Sequence, residues 1–270
     1  MKNHFKYTII GAGVIGLAIA ERLSRKFDNI LIVEKEKKFG LHTSSRNSEV
    51  IHSGFYYKKD SLKAKLCVQG NEMLYSFCKK YNIPHRNCGK LIVANNDKEI
   101  DNLDKVFSKA IANDLKDVKI LSKQESLNVE ERVNCRKSLW VPSTGIVDSH
   151  LLMSKLENLS LSRDVSILYN LEIDSVDKSG DLYAINFLNE DISITSEYVI
   201  NCGGLWSHLI SNQILDYEYE IEYYKGDYFK ASQIRNLNCL IYPMPNDISL
   251  GIHAVLNLNG EVFFGPNVYK

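Results

Sequence analysis

The chain opens with an apolar run, Tyr7 to Ile10, a glycine-rich turn, and a second apolar run, Leu17 to Ala20. A third run, Ile30 to Val33, ends at Glu34. Short apolar runs bounded by turn residues fit buried strands, so the first 34 residues predict strand, turn, helix start and strand. Asp60 or Ser61 can cap a helix in which Leu62, Leu66, Met73, Leu74, Phe77, Cys78 and Tyr81 keep a helical period, with Pro84 just beyond it. Leu91 to Ala94 predicts a strand, and Ile100, Leu103, Phe107, Ala110 and Ile111 one face of a helix. Ser122 with Glu125 makes a capping box before a short helix, and the whole stretch reads as an inserted lobe. From Asp148 a capped helix carries Leu152, Leu156 and Leu159. Short strands follow at Ser166 to Leu168, Glu172 to Val176, Tyr183 to Phe187, Ile192 to Ile194 and Tyr198 to Asn201. From Tyr217 to Lys270 the pattern alternates, with turns at Lys225-Gly226, Pro243 to Asn246 and Leu258 to Gly260, which predicts antiparallel strands and hairpins.

The turn itself is Gly11-Ala12-Gly13-Val14-Ile15-Gly16. Gly11 permits a sharp bend, Gly13 leaves room for a pyrophosphate against bare backbone, and Gly16 lets the helix lie close on the strand. The phosphate then rests on the helix N-terminus, where Val14 and Ile15 begin the first turn. Glu34 stands eighteen residues after Gly16, where a carboxylate accepts hydrogen bonds from an adenosine ribose, and Lys35 follows it. A solvated charged turn reads the same way for Glu34 alone. NAD and FAD share the ADP half that this element binds, so the turn does not choose between them.

Leu41 to Tyr57 has no amphipathic period and is dense in hydroxyl and amide groups. It must emerge beyond the carboxyl end of the second strand, where open α/β sheets bind ligands. Thr43, Ser44, Ser45, Asn47 and Ser48 can hydrogen-bond phosphate or ribityl oxygens, and Arg46 can balance a diphosphate. The strand Tyr198 to Asn201 runs into Cys202-Gly203-Gly204, where Gly203 suits a close backbone contact, although a plain turn explains the pair equally well in isolation.

The 270 residues are 44% hydrophobic, enough for more than one compact domain, and carry 33 basic and 33 acidic side chains. Zero net charge gives no electrostatic footprint for nucleic acid. The apolar stretch Tyr7 to Ala20 is too short to span a bilayer and has no cleavage site, so neither secretion nor a membrane span is expected, and only peripheral membrane contact is left open. The six cysteines show no C-x-x-C pair and no metal-like clustering with histidine, which fits a reducing compartment and leads to a cytoplasmic placement.

The polar loop, Ser61 to Cys67, Asn87 to Val93, Pro142 to Asp148, Asn201 to Ser207, Gly226 to Phe229, Leu240 to Pro243, Gly251 to His253 and Gly265 to Asn267 together resemble the L-2-hydroxyglutarate dehydrogenase/oxidase family, in order and over the whole chain. Its members are FAD enzymes of the D-amino-acid-oxidase-like superfamily. The resemblance implies an α/β fold: a Rossmann-like FAD-binding domain, residues 1–87 and 142–212, and an α+β substrate domain built on an antiparallel sheet, residues 88–141 and 213–270. It implies that Gly203 and Trp206 belong to the flavin-domain signature and that Ile173 lies on the adenine side. The implied activity is oxidation of a small L-2-hydroxy acid by hydride transfer to FAD, with oxygen or a quinone as acceptor. His52 and His253 are the candidate bases, since the unperturbed pKa of histidine lies near working pH. Tyr57 and Tyr242 are the tyrosines singled out beside them.

Two departures stand out: Glu49 occupies a position where the best-characterised members carry glycine, and those members continue past Lys270. Two rival expectations remain: a non-catalytic fragment, from the second departure, and an NAD-dependent Rossmann dehydrogenase, which the first 34 residues alone allow.

Overall fold

A computed structural model describes residues 3–244 and 251–269. The elements in the first part of the chain are β1 (His4–Ile10), α1 (Val14–Leu23), β2 (Ile30–Val33), β3 (Val50–Ile51), α2 (Leu62–Tyr81), β4 (His85–Arg86) and β5 (Lys90–Ala94). Next come α3 (Asp97–Ala112), β6 (Lys119–Ser122), α4 (Lys123–Val129), β7 (Lys137–Val141), β8 (Gly145–Val147) and α5 (Ser149–Leu161). The rest is β9 (Ser166–Leu168), β10 (Ile173–Ser179), β11 (Leu182–Phe187), β12 (Ser193–Asn201), α6 (Ser207–Asn212), β13 (Phe229–Arg235), β14 (Leu240–Pro243), β15 (His253–Leu256) and β16 (Glu261–Gly265).

The chain divides into two compact units, Met1–Asn47 with Ser149–Glu222, and Ser48–Asp148 with Tyr223–Lys270. In the first, a six-stranded sheet has the order β10-β11-β12-β1-β2-β9. The strands from β12 to β9 run parallel and β10 to β12 antiparallel. Every residue of β2 is buried, as expected of a central parallel strand, which is why Ile30 to Val33 is uninterruptedly apolar. Phe5, Ile10, Leu31, Val33, Val176, Ile185, Phe187 and Ile194 close its core. The two strands expected at Ile192 to Ile194 and Tyr198 to Asn201 are one, β12, because Thr195 and Ser196 keep their places in the ladders to β1 and β11.

In the second unit a seven-stranded sheet has the order β13-β16-β15-β14-β5-β7-β6, and a three-stranded one the order β3-β8-β4. The larger sheet is antiparallel except where β14 runs parallel to β5. Along β5 the pleat sends Ile92 and Ala94 into one buried cluster and Leu91 into another, as period-two geometry requires. The capping box of Ser122 and Glu125 forms as expected at the start of α4.

Residues 48–87 and 142–148, expected with the nucleotide domain, fall in this second unit, and residues 213–222, expected with the substrate domain, fall in the first. The physical reason for the former is that β3 and β4 both pair with β8, while Phe55 and Ile146 pack into the cluster of Ile92, Leu139 and Tyr242. The alternating stretch after Tyr217 forms no strand before Phe229 beyond one bridge, Lys225 with Tyr269. Its tyrosines Tyr217, Tyr219, Tyr223 and Tyr224 stay exposed, so alternation there is not matched by burial. The turn expected at Pro243 to Asn246 lies partly outside the described residues.

Candidate functional site

The first unit holds a cavity of about 660 Å³ at the carboxyl ends of its parallel strands. The glycine turn forms one wall. Gly11 has a φ of +100° and a Cβ placed on it would stand 2.5 Å from the Cys202 carbonyl oxygen, so the bend admits only glycine. A Cβ on Gly16 would drive into the Gly11 carbonyl, which is the close helix packing that the third glycine permits. Gly13 is the N-cap of α1 and offers no side-chain cap, and the first turn of α1 carries no acidic residue. The helix N-terminus therefore presents N–H groups without a competing negative charge, the arrangement that binds a diphosphate.

Three bonds brace the turn. The Ala12 amide donates to Glu34 Oε2 at 2.7 Å, the Glu36 amide to Glu34 Oε1 at 2.9 Å, and the Val14 amide to Ser44 Oγ at 3.0 Å. Glu34 thus ties the glycine loop to the end of β2 and still has a spare lone pair on each oxygen for ribose hydroxyls. On another wall Lys35 Nζ sits 3.2 Å from the centre of the Trp206 ring, a cation–π contact, and His42 meets the same ring edge-on. His42 Nε2 lies 2.8 Å from Glu36 Oε1, which fixes the imidazole.

Of the residues singled out from sequence, Gly11, Gly13, Val14, Ile15, Glu34, Lys35, Thr43, Ser44, Asn47, Ile173, Gly203 and Trp206 line the cavity. Gly16 supports it from behind. Ser45 and Arg46 do not line it: the short 3-10 turn Thr43–Ser45 turns both outward into solvent, and Ser45 Oγ donates to the His42 carbonyl. Ser48 does not line it either, and instead hydrogen-bonds Tyr228 in the second unit. Sequence reading missed His42, Leu171, Leu205 and Gln213 on the walls. Their separation along the chain leaves no local signal, and Gln213 takes its place by bracing the Val176 amide and the Asp174 carbonyl.

The second unit gathers the two candidate histidines. His253, on β15, is buried, and its Nδ1 donates to the Gly251 carbonyl at 2.9 Å. That bond sets the tautomer, leaving the Nε2 lone pair to accept from the Tyr228 hydroxyl at 3.2 Å. Its ring stacks on Tyr242 with centroids 3.9 Å apart and planes at 13°. Burial pushes His253 down to about 4, with Lys90 adding to the effect, against the upward pull of the Gly251 bond. His52 is likewise pushed down to about 4, by burial first and then by the charge interactions with Lys90, His253 and Lys63. Both imidazoles are therefore neutral at pH 7, the unprotonated nitrogen of His253 being the one that meets the Tyr228 hydroxyl. Tyr57 packs at a tilt against Tyr56 and takes Lys63 over its ring, and burial raises its pKa.

Residues 6–270 match a family model described as FAD dependent oxidoreductase. The mitochondrial L-2-hydroxyglutarate dehydrogenase of Arabidopsis thaliana is 34% identical over 304 residues, covering 99% of this chain and 62% of that protein. The human protein of the same name is 32% identical over 282 residues, covering 98% and 61%. Among solved structures, the FAD-bound L-alpha-glycerophosphate oxidase of Mycoplasma pneumoniae superposes with a TM-score of 0.91 at 26% identity, over 98% of this chain and 72% of that one. Glycine oxidase from Geobacillus kaustophilus gives 0.86 at 17% identity over 99% and 72%, a likeness of fold. The chain thus spans about 62% of the length of the curated relatives it matches.

The names of those relatives overturn the cytoplasmic placement expected from the cysteines, since they are mitochondrial proteins. Free thiols mark a reducing compartment without saying which one. No helix among the described residues is long and apolar enough to cross a membrane.

Proposed function

Because the chain belongs to the FAD dependent oxidoreductase family, we propose that it oxidises a small L-2-hydroxy acid, of the L-2-hydroxyglutarate type, to the 2-oxo acid. Membership of an FAD family sets aside the nicotinamide alternative. The glycine turn, the bare N-terminus of α1, Glu34 and the Lys35–Trp206 wall would hold the ADP half of FAD, and Ser44 and Asn47 offer polar groups along the same cavity. When bound, FAD supplies the two-electron acceptor for the hydride that leaves the carbinol carbon.

The observation that carries the reading is the neutral pair His52 and His253. Oxidising a secondary alcohol requires its hydroxyl proton to leave with the hydride, and an unprotonated imidazole is suited to take it. His253 is assigned as the base because the Gly251 carbonyl fixes its tautomer and leaves Nε2 as the acceptor, with the Tyr228 hydroxyl turning its proton away when the substrate hydroxyl takes its place. A substrate carboxylate bound nearby opposes the field of Lys90 and raises both histidines toward working pH. The relatives' names support the substrate class. Reoxidation by oxygen or by a quinone completes the cycle.

The test is anaerobic reduction of the flavin-loaded chain by L-2-hydroxyglutarate, its D enantiomer and L-lactate, followed as bleaching of the flavin band. Reduction by the L acids alone is expected. His253→Asn should keep the oxidised spectrum and slow reduction by roughly a hundredfold or more, the loss expected for a general base. A flavin-loaded chain that no 2-hydroxy acid reduces overturns the proposal, and unchanged kinetics in His253→Asn passes the role of base to His52.

A further inference from the structure

Lys90 occupies a position that the pleat of β5 reserves for a core residue. Ile92 and Ala94, two and four places on, belong to the buried cluster with Leu139, Val141 and Tyr242, and Lys90 shares their face. Its side chain is 1% exposed, one of the most deeply buried in the protein. Among the described residues its ammonium has no carboxylate partner and no hydrogen bond. Its contacts are aromatic faces, with Nζ 3.7 Å from the centre of the Tyr242 ring and 5.6 Å from that of Phe55. The far face of Tyr242 is covered by His253, so cation, ring and imidazole follow one another across β5, β14 and β15.

An ammonium held against aromatic faces with no carboxylate beside it is a buried charge without a counter-charge, which is costly unless a ligand supplies one. We propose that Lys90 receives the carboxylate of the 2-hydroxy acid, a role that rests on the oxidoreductase reading above. Tyr242 and Phe55 hold the ammonium by cation–π contacts, and His253 lies one ring away to take the hydroxyl proton. Burial pushes Lys90 down to about 7 even though Cys88 and Cys67 pull it upward. The groups facing it are His52 after β3, Lys63 and Cys67 on α2, Cys88 before β5, Tyr242 on β14 and His253 on β15. The Lys90 ammonium, which persists below about 7, is the form that holds an anion.

Calorimetric titration of the purified chain with 2-oxoglutarate, and separately with pyruvate, from pH 6 to 9 tests this. Affinity should be level below pH 7 and fall about tenfold per unit above it, as the free ammonium deprotonates. Lys90→Met should weaken binding thirtyfold or more at pH 6.5 and flatten the profile, and in turnover it should raise KM far more than it lowers kcat. Lys90→Arg, which keeps the charge, should restore part of the affinity and shift the fall in affinity out of the range. If Lys90→Met does not fold, the native pH profile and Lys90→Arg decide. Affinity within twofold of native in Lys90→Met, a flat native profile, or no carboxylate binding by the native chain each overturns the assignment. Binding through Lys90 without flavin reduction by any 2-hydroxy acid retains the anion site and removes the oxidoreductase reading, whereas reduction with KM unchanged in Lys90→Met does the reverse.

Discussion

At the scale of single residues, Glu49 shows how a sequence departure becomes a backbone quantity. Its φ is +56°, in the left-handed region that favours glycine, which gives a physical reason for the glycine that the resembled family carries there. Its carbonyl is committed to the Val147 amide at 3.0 Å, so the residue cannot relax without loosening the start of the small sheet. Glu49→Gly is therefore expected to stabilise the chain by about 1 kcal/mol, the cost of a side chain in that region, seen as a rise of a few degrees in Tm. A fall in Tm would mean that the side-chain contacts of Glu49 outweigh the backbone strain. The glycines of the first turn were legible in the sequence because their spacing is local. Gly11, Gly13 and Gly16 act within one strand–helix unit, and Glu34 follows one strand later. Arg46 and Ser45 lie off the cavity wall because the direction of a loop side chain is set by the 3-10 turn at Thr43–Ser45, which the composition does not reveal.

At the scale of elements, β5 carries the largest conflict between pattern and chemistry. The sequence marks Leu91 to Ala94 as a strand and leaves Lys90 as its polar flank, because the burial of Lys90 comes from β14, paired in register 150 residues later through Leu240 opposite Lys90. The parallel β14–β5 pairing was hidden for the same reason: alternation shows that a segment is a strand but not which neighbour it takes. The conflict has a sign in stability. For a lysine whose folded pKa lies near 7 against 10.5 in the unfolded chain, the unfolded state binds the proton more tightly between those values. The native chain therefore loses stability as pH falls from 10.5 to 7, and loses no more from this group below 7. Lys90→Met removes that loss while keeping the apolar stem. It should be the more stable protein by a few kcal/mol at pH 7, with the gap shrinking as pH rises and closing near 10.5. Denaturant midpoints at pH 7, 8.5 and 10 measure it. A variant less stable than native at pH 7 would show that Lys90 is held by more than the aromatic contacts.

At the scale of the whole molecule, each of the two units holds one tryptophan: Trp206 in the first, on the cavity wall, and Trp140 in the second, on β7. Sequence reading recognised two domains but drew the boundary at residue 87, because the polar loop after Thr43 looks continuous. What decides it is long-range pairing: β3 and β4 both bond β8, and Asn113 clamps the Gly54 and Tyr57 carbonyls. The tryptophans allow the units to be followed one at a time, with Trp206→Phe reporting the second unit and Trp140→Phe the first. Added FAD at a hundredfold its Kd should raise the Trp206-reported midpoint by the equivalent of about 2.7 kcal/mol. Gly13→Asp should abolish that rise, since a carboxylate there takes the place of the pyrophosphate and repels it. Acidification should act on the other unit. His52 and His253 are held neutral down to about 4, whereas their unfolded forms take up protons near 6.5, so their contribution is complete above 6.5 and is lost progressively as pH falls toward 4. Between pH 7 and 5 the Trp140-reported midpoint should therefore fall more than the Trp206-reported one. Midpoints that move together under both FAD and acid would show that neither cofactor binding nor the neutral histidines belong to one unit alone.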